Sequence, residues 1–438
     1  MSFLRRPGVW FPLAIAVLTA LGSEPLRDDR CVHLSERDRG SYGLRPVWQA
    51  RFDALSAVCG AGLLTYSIED DYTPAGRWVL TGLGVAGAAL YLAAARQALA
   101  RGRPDLAPLL PTTRRILLVF LIGLLGATVV AMGVERARGG LSANDAAFNA
   151  VAAFASLGWL RGAAAERHHE LYAVIAWIGA LGWPVWLLGW PRVFRRRRLL
   201  CTVAGYALFL VGCGATIAAL EVPRGGPRGE TSSDARLANQ PPATRLARAL
   251  TQVAAGAGAG LPVEPLGDRA VGEGTKLVLA IDVFVGGFGG NAGGGLRWLT
   301  LAAMLGGLRA GRGSGSGRPL AGRAFALAGA LAVLLLVVVL GLFAIEAHVG
   351  SPYQSPPTLG DALLEAASAT CGSGLTTGLT RQLTGVTLSS GIRQPVDVYM
   401  YGMAWLMAAM FIGRVLPVLV IGRAAAADTR PPGEPAAV

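Results

Sequence analysis

Long apolar runs alternate along this chain with short amphipathic segments. The runs lie at about 8–23, 77–95, 116–134, 171–190, 199–220, 276–307, 324–345 and 396–422. Most approach the roughly 20 residues that a helix needs to cross hydrocarbon, so the pattern predicts membrane-embedded helices. The first run is the shortest, and a cleaved signal peptide is the competing reading. No A-x-A-like site follows Ala20 cleanly, so it is read as a helix.

The short segments are 48–58, 145–154, 244–255 and 361–370. In the first, Trp48, Phe52, Leu55 and Val58 share a helical face, but a segment this short covers only about half the hydrocarbon thickness and must turn back. Each segment runs into a similar turn: SAVCGAGL at 56–63, AAFASLGW at 152–159, AGAGAGL at 255–261 and SATCGSGL at 368–375. Each turn carries a glycine in register, Gly62, Gly158, Gly260 or Gly374. A short helix entering the membrane brings the negative end of its dipole toward the centre, which favours a cation there. Non-helical backbone at that depth must be buried or line water. Glycine lets consecutive carbonyls point at one axis, and rings of carbonyls replacing a hydration shell are the basis of ion selectivity. Close helix packing by small residues is the plainer reading of any one of these glycines. Four in register favour a selectivity filter.

A second recurrence lies in the helices after the turns, at Gly87-Ala88, Gly179-Ala180, Gly286-Gly287 and Gly413-Arg414. In the third it expands into FVGGFGGNAGGGLRW at 284–298. Glycine costs about 1 kcal/mol against alanine at each helical position, so the helix is expected to break there.

Composition fixes the compartment. Of 438 residues, 53% are apolar and 15% charged, and the mean hydropathy is +0.47, which leaves too little polar surface for a water-soluble globule. Arginine supplies every cation but Lys276 and crowds alternate connections: Arg5 and Arg6, then 96–115, then 192–198, then Arg309, Arg312, Arg318 and Arg323. The stretch 24–45 instead balances acids and arginines. Positive residues stay inside, so both termini are expected in the cytoplasm and all four turns open from the outer face. The same topology accounts for the net charge of +13, and nucleic-acid binding is not expected.

Cys31, Cys59, Cys201, Cys213 and Cys371 show no C-x-x-C spacing. Cys59 and Cys371 match in two of the turns, as small residues behind the glycines. His33, His168, His169 and His348 sit near membrane edges without the pairing that would hold haem or metal. Segments 222–243, 310–320 and 428–438 read as loops and a tail, and no soluble module fits between the spans. No carboxylate pair, nucleophile with base, or metal cluster recurs in the spans, so an enzyme is not expected.

Four units follow, at 1–102, 103–198, 199–315 and 316–438. The expected fold is an all-α integral membrane protein of four helix, pore-loop, helix repeats with pseudo-fourfold symmetry around one ion pore. Several motifs resemble the Trk/Ktr/HKT superfamily of potassium transporters: SAVCGAGL (56–63), GGFGGNAGGGLR (286–297), SATCGSGLTTGLT (368–380) and MFIGRVLP (410–417). The last is the most specific, and the resemblance covers almost the whole chain. It implies that Gly62, Gly158, Gly260 and Gly374 are filter glycines favouring potassium. It also implies that 286–295, with Gly286, Gly287, Gly289, Gly290, Asn291, Gly293, Gly294 and Gly295, is an intramembrane gating loop, and that Arg414 is a basic residue facing the pore below the filter. Asp282, above the loop, is the candidate partner for Arg414. Where the family has threonine beside the glycine, this chain has Ala61, Gly258 and Ser373, a loss of hydroxyls that bears on potassium-over-sodium selectivity more than on cation conduction.

The resemblance further implies a homodimer in the cytoplasmic (inner) membrane. A cytoplasmic ring of nucleotide-binding regulatory subunits would dock on the linkers 96–115 and 192–198. Potassium would be the transported substrate, with no covalent cofactor. The alternative is a non-conducting structural or regulatory membrane subunit derived from such a transporter.

Overall fold

The computed structural model describes residues 6–33, 45–102, 107–161, 168–187, 196–221, 237–264, 266, 271–309, 318–349, 357–380 and 396–423. Among them the extended pairing is one isolated antiparallel bridge, Val32 with Tyr72, and the rest of the regular structure is helical. The glycine-rich segment 286–295 and all four glycine turns fall inside these ranges. Residues 222–236 of the predicted loop 222–243, 310–317 of the predicted loop 310–320, the whole predicted tail 428–438, and 103–106 and 192–195 of the expected docking linkers lie outside the described residues.

Four times the chain runs long helix, short helix, turn, helix. The first unit is α1 (Pro7–Ser23), α2 (Val47–Cys59) and α3 (Pro74–Gly102). The second is α4 (Thr113–Arg138), α5 (Ala143–Phe154), α6 (His169–Leu181) and the one-turn α7 (Trp183–Trp186). The third is α8 (Arg196–Leu220), α9 (Pro242–Ala259), α10 (Glu273–Val285) and α11 (Trp298–Arg309). The fourth is α12 (Arg318–Val349), α13 (Leu359–Cys371) and α14 (Val396–Arg423).

Among the described residues, 6 helical stretches are long and apolar enough to cross a membrane, on α1, α3, α4, α8, α12 and α14. Their outward faces carry large apolar side chains, among them Leu125, Val129, Leu208 and Val333, all exposed. Apolar faces on this scale require lipid around them, and the chain is a multi-pass membrane protein.

Local chemistry sets where the short helices begin and end. Thr358 and Asp361 form a reciprocal capping box at the start of α13, and Ser142 caps α5 by accepting the Asp145 N–H. Prolines stand at the entrances of α2 and α9, where a missing N–H costs no hydrogen bond. Left-handed glycines terminate three of the four: Gly60 after α2, Gly260 after α9 and Gly372 after α13.

Two apolar runs are interrupted, one against its reading as a single helix and one as expected. The run 171–190 breaks at Gly182, whose backbone (φ 68°, ψ 178°) closes α6 and redirects the chain into α7. The run 276–307 breaks at Gly286 in nearly the same conformation (φ 69°, ψ −162°), at the place the glycine content predicts. In the third unit the short helix also continues through Ala255–Ala259, which the sequence pattern assigns to the turn, because its αL cap falls on Gly260 itself.

The units pack head to tail. α3 lies against α5, α6 against α9, α10 against α13, and α14 returns to α2. The helix that follows each turn thereby braces the short helix of the next unit, and the fourth closes on the first.

Candidate functional site: four glycine turns above a glycine-rich loop

The four short helices end within a few residues of Gly62, Gly158, Gly260 and Gly374, and the structure brings all four glycines together. A Cβ built on Gly62 would stand 2.6 Å from the Gly374 Cα, 3.3 Å from the Gly158 Cα and 2.5 Å from the Leu157 carbonyl oxygen. One on Gly158 would strike the Gly374 Cα, and one on Gly260 the Gly374 backbone nitrogen. Gly374 is thus the point where turns from all four units meet, with their backbones in van der Waals contact. Gly62, Gly158 and Gly260 also have positive φ, at 67°, 76° and 65°, so both crowding and dihedral exclude a side chain there.

A set of buried tethers holds the turns, and sequence reading missed it. The Asp53 carboxylate accepts the Thr65 N–H at 2.8 Å. The Asn149 amide oxygen accepts the Arg161 N–H at 2.8 Å, and its NH2 donates to the Arg161 carbonyl at 2.9 Å. Gln252 Oε1 accepts from Val263 and Glu264 at 2.9 and 2.8 Å. Glu365 accepts from Thr377 and Thr380 at 3.0 and 2.9 Å. Each tether runs from the middle of a short helix to the strand of chain leaving its turn, and satisfies amides that would otherwise be orphaned in the interior. The available signal was a polar residue on each short segment, nine residues before Gly62, Gly158 and Gly374 and eight before Gly260.

The tether of the first unit has a basic partner. Arg45 is fully buried, pairs with Asp53, donates to the Tyr72 hydroxyl at 2.9 Å and lies 4.3 Å from the centre of the Tyr66 ring.

Behind three of the turns, the second glycine recurrence has a common contact. A Cβ on Gly87, Gly179 or Gly413 would run into the carbonyl oxygen of Val58, Phe154 or Thr370, each four residues before its turn glycine. The third unit departs from the expected equivalence. Gly286 meets the Gly294 carbonyl instead, and it is Asp282 that faces the short helix, where Gly256 makes room: a Cβ there would lie 3.3 Å from Asp282 Oδ2.

The segment 286–297 crosses beneath the turns as an irregular loop. Gly286, Gly289, Gly290 and Gly295 take positive φ, as does Arg297. The Phe288 N–H donates to the Ala180 carbonyl at 3.1 Å, and the Trp183 N–H to the Gly290 carbonyl at 3.2 Å, which joins the loop to the break after α6. On the other side a Cβ on Gly294 would hit the Cys371 carbonyl at the end of α13. Gly287 and Gly293 crowd the Asn291 side chain, which is fully buried with neither polar atom hydrogen-bonded.

Arg414 on α14 is buried against this loop. Its Nη1 donates to the Ala292 carbonyl at 2.6 Å, and its guanidinium lies 4.0 Å from the centre of the Tyr91 ring. A Cβ on Gly60 would stand 3.9 Å from its Nη2, which places the charge beside the first turn. The expected partnership with Asp282 is not formed. Among the described residues no carboxylate pairs with Arg414, and both Asp282 oxygens lack a hydrogen-bond partner although the Ala257 amide faces them. The reason is geometric: Asp282 points toward α9 and Arg414 toward the loop and α3.

Cys59 and Cys371 are buried and free at the ends of α2 and α13, and no group of three His, Cys, Asp or Glu among the described residues is arranged to hold a metal.

No protein-family model matches the chain, and no curated protein matches it in sequence. Among solved structures, the crystal structure of the potassium transporter TrkH from Vibrio parahaemolyticus is similar over 95% of this chain and 84% of its own, with a TM-score of 0.62 and 17% identity. The chain has the TrkH fold. That architecture covers 95% of the chain.

Proposed function

We propose that this chain carries a monovalent cation, potassium first, across the cytoplasmic membrane through the constriction at Gly62, Gly158, Gly260 and Gly374. The observation that carries the reading is the meeting of four sequence-distant glycine turns at Gly374. Four helix C-termini deliver partial negative charge to that point, and carbonyls there can replace a hydration shell. The loop from Gly286 to Gly295 closes the path beneath. Arg414 places a fixed positive charge at membrane depth, which raises the barrier to a cation and marks a functional residue. No covalent chemistry is involved. In this reading both termini are cytoplasmic, two copies associate, and a nucleotide-binding regulatory ring contacts the basic linkers.

Such a fold relates this chain to a protein described as a potassium transporter, and the turns and loop supply the corresponding parts. A second reading, a non-conducting membrane subunit, is favoured by the contact between the Gly158 and Gly374 backbones, which a cation must part to pass.

Expression in a bacterium lacking potassium uptake separates the two. Growth at low external potassium, lost on Gly374→Ser, supports transport; no growth with well-expressed, membrane-inserted protein supports the subunit.

A further inference from the structure

The residue after each turn glycine is Leu63, Trp159, Leu261 or Leu375, and all four side chains are buried. Three are leucines, which offer nothing to hydrogen-bond. The fourth reaches the turn of the first unit: Trp159 Nε1 donates to the carbonyl oxygen of Gly62 at 3.0 Å. Trp159 is 3% exposed and packs in the same apolar cluster as Leu64 and Leu157, so the indole is fixed by its surroundings rather than free to swing aside.

This contact is asymmetric in chemistry as well as position. Two other side-chain bonds between or within the turns go to neighbouring carbonyls and not to the four in-register glycines: Ser156 Oγ donates to Gly258 O at 2.8 Å, and Ser368 Oγ donates to Leu375 O. The indole N–H takes the carbonyl of a turn glycine itself. A carbonyl dipole that points its negative end at an N–H presents less of it to a cation, and the positive end of the N–H bond repels a cation brought close.

We propose that Trp159 is a specificity-determining residue of the constriction, occupying the Gly62 carbonyl with its indole N–H and thereby weakening cation coordination on the first-unit side. The inference rests on the transport reading above. Among the described residues, Gly62 is the one of the four turn glycines whose carbonyl is polarised toward a side-chain donor. Discrimination between potassium and the smaller sodium depends on the number and strength of coordinating carbonyls, so the indole lowers it. Replacing the donor frees an oxygen that then has no partner in the buried turn except the cargo. A buried acceptor left unsatisfied costs free energy, and an arriving cation recovers it.

Two variants remove the donor. Trp159→Phe keeps an aromatic ring, and Trp159→Leu makes the second turn resemble the other three, so either suffices if the other is poorly folded. Purified protein is titrated with potassium at constant ionic strength, with choline as the replacing cation, and its melting temperature is followed. Rubidium isotope flux into vesicles is then measured with sodium competing. The expected result is a half-saturating potassium concentration lower by about fivefold in both variants, the factor corresponding to one ordinary protein hydrogen bond. The preference for rubidium over sodium should widen in parallel. A purely structural role for the indole would lower the melting temperature without moving the titration midpoint.

A wild-type response to potassium that both variants reproduce at the same midpoint and with the same cation preference overturns the role of Trp159 and leaves the transport reading intact. Absence of any potassium response and of any flux in the wild type removes the transport reading, and this inference with it.

Discussion

Thr65 donates its backbone N–H to the Asp53 carboxylate at 2.8 Å, and its hydroxyl donates to the same carboxylate at 2.9 Å. That pair spans the glycine turn of the first unit from below to above, and Asn149, Gln252 and Glu365 do the same work in the others. The turn is thus held at its flanks, on either side of the glycine that meets its counterparts.

Asp53→Ala should destabilise the protein by about 3–5 kcal/mol, because it leaves the Arg45 guanidinium buried without its counter-charge. Chemical denaturation in detergent micelles reads the loss. A cost near that of an exposed residue would show that Arg45 relocates to solvent.

Gly62→Ala and Gly374→Ser should change the ratio of potassium to sodium flux, by about a factor of ten at the crowded Gly374 position. The measurement is isotope uptake with competing cations. Variants that fold and keep the wild-type ratio would place the selective step elsewhere.

Arg414→Ala should raise flux, by about tenfold, and leave the ion preference alone, since the guanidinium contacts the loop at Ala292. Flux and preference changing together would instead place Arg414 at the selective step.

Asp282 and Arg414 should act independently. Asp282→Leu is expected to stabilise the protein by about 1–3 kcal/mol, because it replaces a fully buried polar side chain by an apolar one of similar size. Combined with Arg414→Ala, its effect should add to within about 0.5 kcal/mol in a double-mutant cycle. A larger coupling term would mean that the two side chains meet in some state of the protein.

Stability should fall at acid pH through Asp361, at the start of α13. Burial works to raise its carboxyl, but hydrogen bonds from Lys276, 2.7 Å away, and from Thr358 hold it below its ordinary value. A carboxylate depressed in the folded state stabilises the protein above its unfolded value of about 3.9 and loses that contribution as pH falls toward the depressed one. The melting temperature should therefore drop as pH is lowered from about 5, and drop less in Asp361→Asn. An identical acid limb in both proteins would assign the loss to other carboxylates.

Much of the molecule was legible along the chain because its signals are local. The bounds of α2, α5 and α13 follow from segments too short to span and from their caps, and the break at Gly286 follows from the intrinsic cost of glycine in a helix. The break at Gly182 was harder to see. One glycine followed by WPVW carries little of the compositional warning that seven glycines in the third unit carry, yet the two breaks take nearly the same backbone conformation. The tethers escaped for another reason: a lone polar residue on a short apolar helix has many uses, and its partner lies twelve residues away beyond a turn.

Composition and the spacing of apolar positions by themselves determined the membrane setting, the helical class and the four glycine turns, since burial in lipid and chain length leave few alternatives. Only the tertiary structure decided which groups meet across those turns. Arg414 faces Ala292 and Tyr91 rather than Asp282, and Trp159 rather than a leucine reaches the Gly62 carbonyl, because the direction of a side chain from a packed helix or turn depends on neighbours hundreds of residues distant, and no local periodicity encodes it.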